Sequence, residues 1–349
     1  MRILLIRTSA LGDIVHCLPA LRALRGQFPD ARIGWVVEEV FAPLLEHDPD
    51  LDQVLTVGLR RWRRAPLAPA TVRETVAALV RLSAFDADVV LDLMGNHKAG
   101  ALAAVTGCDR RVGLAAALRR ERSSAAWLSE WVEAAGGHAV ERALAVAGAL
   151  GVPPDFPGFG ADKILATRGE HPPDPAERDA IVIHPGAAWS SKRYPAERWG
   201  RVAAELARRT GRRILVSAGP SETALASEVE HWSGGAAARA EAADLPRLVS
   251  LLAGAGLVLG GDTGPLHLAH ALRVPALFLH GPTDPETHGP YGAPERALRG
   301  ASPDAVGSRG RRAAPGPAVD VPEEVVVERA LELTEAIGRP PGRLERSSV

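Results

Sequence analysis

The feature that most constrains this chain is an alternation that occurs twice. Short runs rich in β-branched residues or leucine are each followed by an amphipathic stretch, and a proline-rich break separates two such series. In the first series the short runs are 2–6, 33–37, 54–57, 89–93 and 111–114; in the second they are 180–183, 213–217, 257–259 and 276–279. Strands that alternate with helices imply parallel sheets covered on both faces, so the expected fold class is α/β. Helices are expected at 71–82, where Val72, Val76, Leu79 and Val80 have helical spacing, and at 139–150, 196–209, 222–232, 245–252, 265–272 and 322–337. A length of 349 residues suits two domains, each with its own core. The expected division is 1–155, a linker at 156–178, 179–320, and a last helix at 321–338. The segment 300–317, rich in Gly, Pro, Ser and Arg, is expected to be an exposed loop, and the last dozen residues a frayed tail.

Bulk chemistry narrows the partners. Forty-one Lys and Arg stand against 42 Asp and Glu, so no overall field draws the chain to nucleic acid. Cys17 and Cys108 lack zinc-site spacing and are too few for a disulfide framework, which fits a reducing compartment. The apolar run before Arg7 is too short for a secretory leader, and the longest uncharged stretch, 248–261, is too short to span a bilayer and holds four glycines. The expectation is a cytoplasmic protein that can still dock on a membrane surface.

In open α/β sheets ligands bind beyond the carboxyl ends of the strands. After the first strand comes T-S-A-L-G-D, which leads into a helical pattern and puts Asp13 in its first turn. Asp13 reads either as a helix cap or as a general base, and capping lowers the pKa that a base needs high. Pro19 is expected to kink that helix or to confine its regular part to the residues beyond the proline. After the run 257–259 comes G-G-D-T-G-P-L-H at 260–267, which opens directly into a helix. Glycines before a helix N-terminus let backbone amides approach an anion, and Asp262, Thr263 and His267 surround the same turn. The loop H-P-G-A-A-W-S-S-K-R-Y-P at 184–195 adds Lys192 as a phosphate cation, with Ser190 and Ser191 as donors. A-G-P-S-E at 218–222 brings Glu222 to a helix start, suited either to ribose hydroxyls or to a capping box at Ser221. Together these loops read as a nucleotide diphosphate site in the second half. D-A-D at 86–88 precedes a strand, on the wrong side of the sheet for a metal site, and D-P-D-L-D at 48–52 lacks the glycine and final glutamate of a calcium loop. Both are expected to be turns, and no metal or other cofactor is expected.

At these motifs the chain resembles glycosyltransferase family 9, the ADP-heptose:lipopolysaccharide heptosyltransferases, over nearly its whole length. The residues that carry the resemblance are R-I-L-L-I-R-T-S-A-L-G-D-I-V-H at the start, H-P-G and S-K-R-Y-P in the middle, and G-G-D-T-G-P-L-H-L-A-H-A, G-P-T-D-P and G-P-Y-G further on. W-V-V-E-E, R-R-W-R-R and H-A-V-E-R are most similar to the heptosyltransferase I branch, which adds the first heptose to the Kdo of the inner core. The resemblance implies a GT-B fold, with two Rossmann-like domains facing across a cleft and the C-terminal helix packing back on the first. It implies Asp13 as catalytic base in an inverting displacement, and Lys192, Glu222, Asp262, Thr263, Gly264 and His267 as donor-binding positions. The implied donor is ADP-heptose, and the implied acceptor Kdo-lipid A or lipopolysaccharide core, met at the inner face of the inner membrane. Arg60, Arg61, Arg63 and Arg64 then suit the anionic acceptor, joined by Lys98 and Arg120. Ala187 and Ala188 stand where relatives place hydroxyl residues, and the iron-binding cysteine cluster of some relatives is missing.

Other readings stay open at this point. A nicotinamide-dependent dehydrogenase is disfavoured because no G-x-G-x-x-G follows the first strand of either half. A non-catalytic nucleotide-sugar sensor would not need Asp13, and a relative with another sugar or a heptose acceptor would share every motif above.

Overall fold

Every expected run becomes a strand, and the strands pair in the same order in both halves. The structure is a computed structural model that describes residues 1–167, 169, 172, 174–219, 222–300 and 319–337. Strands β1 (Arg2–Ile6), β2 (Arg32–Glu38), β3 (Gln53–Val57), β4 (Val89–Asp92), β5 (Arg111–Leu114) and β6 (Glu130–Val132) form a sheet in the order β3-β2-β1-β4-β5-β6. Strands β7 (Ile181–His184), β8 (Ile214–Ala218), β9 (Ala237–Glu241), β10 (Leu257–Gly261), β11 (Ala276–His280) and β12 (Ala297–Arg299) form the second, in the order β12-β11-β10-β7-β8-β9. All pairings are parallel. Counted from the first strand of each half, both sheets have the doubly wound order 3-2-1-4-5-6. The central strands read as unbroken apolar runs because helices cover both faces: Leu4, Leu5 and Ile6, and Leu257, Val258 and Leu259, are fully buried.

The helices are α1 (Leu11–Gln27), α2 (Leu59–Trp62), α3 (Pro69–Ala84), α4 (His97–Val105), α5 (Ala139–Gly148), α6 (Ala161–Ala166), α7 (Ala196–Thr210), α8 (Thr223–Trp232), α9 (Leu245–Gly254), α10 (Gly264–Ala271), α11 (Pro285–His288) and α12 (Glu323–Ile337). Two compact units result. One comprises Met1–Pro172, Asp244–Ser250 and Glu286–Gly292; the other comprises Pro173–Ala243, Leu251–Pro285 and Ala293–Val349.

Several expectations need correction. Pro19 neither delays nor interrupts α1, which starts eight residues ahead of it and runs unbroken to Gln27; burial of Ile14, Val15, Leu18, Leu21 and Leu24 outweighs the one hydrogen bond a proline removes. The segment read as a linker carries α6, which a buried ion cluster fastens to the first unit. Arg22 pairs with Asp48 at 2.5 Å and with Asp50 at 2.7 Å, and Lys163 reaches Asp50 at 2.5 Å. The turn at 48–52 is therefore a structural ion site. The D-A-D turn is likewise occupied, by Arg2, which pairs with both Asp86 and Asp88. Helix α12 packs within the second unit. Its Val326, Val327 and Ala330 belong to the core of the second unit, with Trp199, Val202 and Leu206 of α7, and Arg198, Arg201 and Arg209 of α7 pair with its acids Glu323 and Glu328. Most of the loop 300–317, the tail and the capping reading of Ser221 lie outside the described residues.

Candidate functional site

In the second unit β10 ends at Gly261 and α10 begins at Gly264, so Asp262 and Thr263 alone make the turn. A Cβ on Gly260 would stand 2.7 Å from the His184 carbonyl oxygen, and one on Gly261 2.7 Å from that of Lys192. The two glycines thus allow the 184–192 loop to close onto the turn. Lys192 Nζ donates to Asp262 Oδ2 at 2.6 Å and to the Asp262 carbonyl at 3.2 Å, and His267 Nε2 lies 2.9 Å from Asp262 Oδ1. Burial would raise the Asp262 pKa, but the His267 hydrogen bond and the Lys192 charge outweigh it and hold this carboxyl well below its ordinary range. Asp262 is therefore ionised, and its two oxygens are spent on holding Lys192 and His267 in place.

The first turn of α10 decides what the site can bind. The amides of Leu266 and His267 both return to the Thr263 carbonyl, and Pro265 has no N–H to leave unsatisfied. The amides of Thr263 and Gly264 have no partner among the described residues, and they stand at the positive end of the helix. Two open amides beside a lysine ammonium make an anion site. The other donor candidates border it. Ser190, Ser191 and Lys192 form a single 3-10 turn, with Ser191 buried and Ser190 exposed. Glu222 Oε2 accepts from the Gly219 amide at 3.2 Å, and its carboxylate lies so close over Gly186 that a Cβ there would overlap it. These loops follow β7, β8 and β10, and β7 and β10 are the neighbours at which the strand order reverses.

The matching helix of the first unit has side-chain acceptors at its start. Asn96 caps α4 by accepting from the Ala99 amide at 3.1 Å, and Glu121 accepts from the His97 amide at 2.8 Å. Opposite it across the switch point, Asp13 sits in the first turn of α1. Its Oδ2 lies 2.6 Å from Arg7 Nη2 and accepts from the Ala10 amide at 3.1 Å. Its side chain keeps a third of its surface exposed. Burial pushes the Asp13 pKa up, but Arg7, the Ala10 amide and His288 together pull it below the ordinary value. Burial does not offset capping, as a raised pKa would have required. Asp13 is a carboxylate ready to accept a proton, held ionised by an arginine.

The basic candidates of the first unit do not form one cluster of free charges. Arg61 is bound to Glu39 and Glu74, and Arg60 lies over the Phe41 ring at 5.4 Å. Arg63 and Arg64 are exposed and make no ion pair among the described residues. Lys98 is exposed on α4, and Arg120 follows the fully buried Arg119–Asp92 pair, its backbone against Gly95.

Sequence reasoning missed Arg7 and the segment Glu286–Gly292. A charged residue directly after a buried strand was a usable signal for Arg7. The segment contains the whole of G-P-Y-G, a motif that carries the resemblance, but nothing in its sequence marked its place: it falls within the expected second domain yet clusters with the first unit. There His138 Nδ1 accepts from the Val140 amide, which leaves Nε2 to donate to the Gly289 carbonyl at 3.0 Å. Tyr291 packs against His138 and Phe156, with ring centroids 4.8 and 4.9 Å away.

Known proteins share this arrangement. The sequence profile of glycosyltransferase family 9 (heptosyltransferase) matches residues 76–309. Lipopolysaccharide heptosyltransferase 1 of Pseudomonas aeruginosa is 35% identical over 309 residues, covering 84% of this chain and 82% of its own. The protein of that name from Salmonella typhimurium is 32% identical, covering 85% and 93%. Among solved structures, the Escherichia coli heptosyltransferase WaaC with ADP-2-deoxy-2-fluoro heptose superposes with a TM-score of 0.73 at 29% identity, over 87% of this chain and 94% of that one. The GT-B expectation is borne out by that likeness. An ionised carboxylate after the first strand and an open, lysine-flanked helix end after the tenth thus come with a sequence match across most of the chain, and the chain belongs to glycosyltransferase family 9, the heptosyltransferases.

Proposed function

We propose that this chain is a lipopolysaccharide heptosyltransferase that moves a heptose from ADP-heptose to a Kdo hydroxyl of the inner core. The observation that carries the reading is the open end of α10: two amides, at Thr263 and Gly264, with no partner among the described residues, beside Lys192. A leaving diphosphate needs such fixed positive dipoles at the moment its charge develops. Asp13 takes the proton of the acceptor hydroxyl as that oxygen bonds to the anomeric carbon on the face opposite ADP. The anomeric carbon–oxygen bond to the diphosphate breaks, and ADP leaves with the electron pair. Such a single displacement inverts the anomeric centre. Glu222 is suited to the ribose hydroxyls, Ser190 and Ser191 to the phosphates, and Asp262 with His267 to keeping Lys192 aimed.

The relatives named heptosyltransferase 1 favour the first-heptose acceptor over a heptose-terminated one. Incubation with ADP-heptose and Kdo-lipid A should add one heptose, seen by mass spectrometry. Product with neither a Kdo-terminated nor a heptose-terminated acceptor would remove the donor assignment. Where the protein works follows from that acceptor: at the cytoplasmic face of the inner membrane. Among the arginines, Arg63 and Arg64 are the ones most open to acceptor phosphates and carboxylates, because Arg61 is already neutralised and Arg60 lies over the Phe41 ring. The double variant Arg63→Gln, Arg64→Gln should raise the acceptor KM by about tenfold, the size of one or two charge-assisted contacts, with ADP affinity unchanged. An equal loss of ADP affinity would contradict the division of roles.

A further inference from the structure

Helix α3 presents a row of three valines to solvent, while Leu79 and Leu82 turn to the core. It buries Thr71, Ala78 and Leu82, while Val72, Val76 and Val80 are 47, 54 and 60% exposed. Spaced by four, these valines stand one above another along the outer face. Leu67, just before the helix, is 88% exposed and extends the stripe toward Arg63 and Arg64. A helix of a water-facing domain normally turns its apolar stripe inward, and contiguous exposed apolar surface marks a contact site. The charge around the stripe is one-sided. Residues 59–84 carry six arginines and a single acid, Glu74, which is paired with Arg61. Arg63, Arg64, Arg73 and Arg81 make no ion pair among the described residues.

We infer that the outer face of α3 and the 63–68 segment dock on an anionic lipid bilayer, the surface that presents the acceptor. The inference rests on the proposed reading that the acceptor is lipid-linked, and it adds the part of the molecule that meets the lipid. No helix among the described residues is long and apolar enough to cross a membrane, so the contact lies at the surface. An apolar ridge flanked by arginines fits that interface: the valines and Leu67 enter the headgroup boundary, and the guanidiniums meet anionic phosphates. A second copy is a poorer occupant, because two such faces would bring arginines against arginines. The surface also adjoins Arg63 and Arg64, the proposed acceptor contacts, so docking would deliver the lipid-borne sugar directly to them.

The test is cosedimentation of the full chain with vesicles of phosphatidylethanolamine and phosphatidylglycerol, beside vesicles of phosphatidylcholine alone. The wild type should bind the anionic vesicles and not the neutral ones. The variant Val72→Ser, Val76→Ser, Val80→Ser should keep its Tm, since these side chains lie outside the core, and should bind roughly tenfold less. Its KM for acceptor embedded in anionic vesicles should rise by a similar factor, while its KM for a water-soluble, deacylated acceptor should not move. Undiminished vesicle binding by the variant, or equal wild-type binding to neutral vesicles, overturns the inference. So does a concentration-dependent dimer that the variant loses, with no vesicle binding by either, which would give the face to a second copy. Anionic-vesicle binding that the variant loses, in a protein that transfers heptose to no acceptor, would uphold the docking and sink the reaction.

Discussion

Asp13→Ala is expected to lower kcat by between a hundredfold and ten-thousandfold, the span attributable to a positioned general base, while the Kd for ADP stays within about twofold of wild type, because no phosphate-binding group is touched. Loss of ADP binding in parallel with turnover would show Asp13 to be a structural cap and leave the reaction without its proton acceptor. The pH profile gives a second readout. Arg7, 2.6 Å from the carboxylate, is the largest of the contributions that together outweigh burial, so the Asp13 pKa lies below its ordinary value and the base stays ionised on mild acidification. The acid limb of kcat should then lie below the ordinary Asp value. In Arg7→Gln the burial contribution is opposed only by the Ala10 amide and His288, so the pKa rises and the acid limb moves to higher pH. Arg7→Lys, which keeps the charge, should leave the limb near its wild-type position. An acid limb that stays put in Arg7→Gln would mean that another group titrates there.

Lys192→Met should have two separable consequences. Removal of the ammonium takes away the side-chain cation placed at the open end of α10, and kcat/KM for the donor should fall by about a hundredfold or more, in line with loss of one fixed electrostatic stabiliser of a developing anion. It also leaves Asp262, 5% exposed, as a buried carboxylate whose remaining hydrogen-bond partner among the described side chains is His267. Breaking a buried pair on one side typically costs about 3–5 kcal/mol. With His267 still in place, a loss of about 2–3 kcal/mol in denaturant unfolding is expected. Lys192→Met, Asp262→Asn should recover much of that stability and none of the rate. A double variant no more stable than Lys192→Met would show that Asp262 is not held by the lysine in the way its 2.6 Å contact indicates.

Much of the fold was legible because a buried parallel strand writes itself as an apolar run. The strands that escaped, β6, β9 and β12, lie at sheet edges, and their sequences E-W-V, A-A-R-A-E and A-L-R hold few β-branched residues. Such segments are strands because a neighbour offers them a ladder, which no local pattern announces. Helix α3 shows another limit. Its period was readable, yet Val72, Val76 and Val80 face out while Thr71, Ala78 and Leu82 face in, because periodicity gives the helix and not the side that meets the core. At the site, the residues that come after one strand in unbroken sequence, 260–267, were readable as a turn. The Lys192–Asp262–His267 arrangement joins positions up to 75 apart, and Arg7 acts through a contact that only the bend between β1 and α1 creates.

The two sheets share one winding order, yet at the start of α4 the Asn96 side chain and the Glu121 carboxylate each take a backbone amide, whereas at the start of α10 no side chain does so among the described residues. A doubly wound domain offers an anion cradle at its switch point by default, so a protein built from two of them begins with two competing cradles. Here one is silenced by a side-chain carbonyl and a carboxylate. If the nucleotide settles at α10 as proposed, selectivity between the two ends would come by subtraction at the other one, through Asn96 and Glu121.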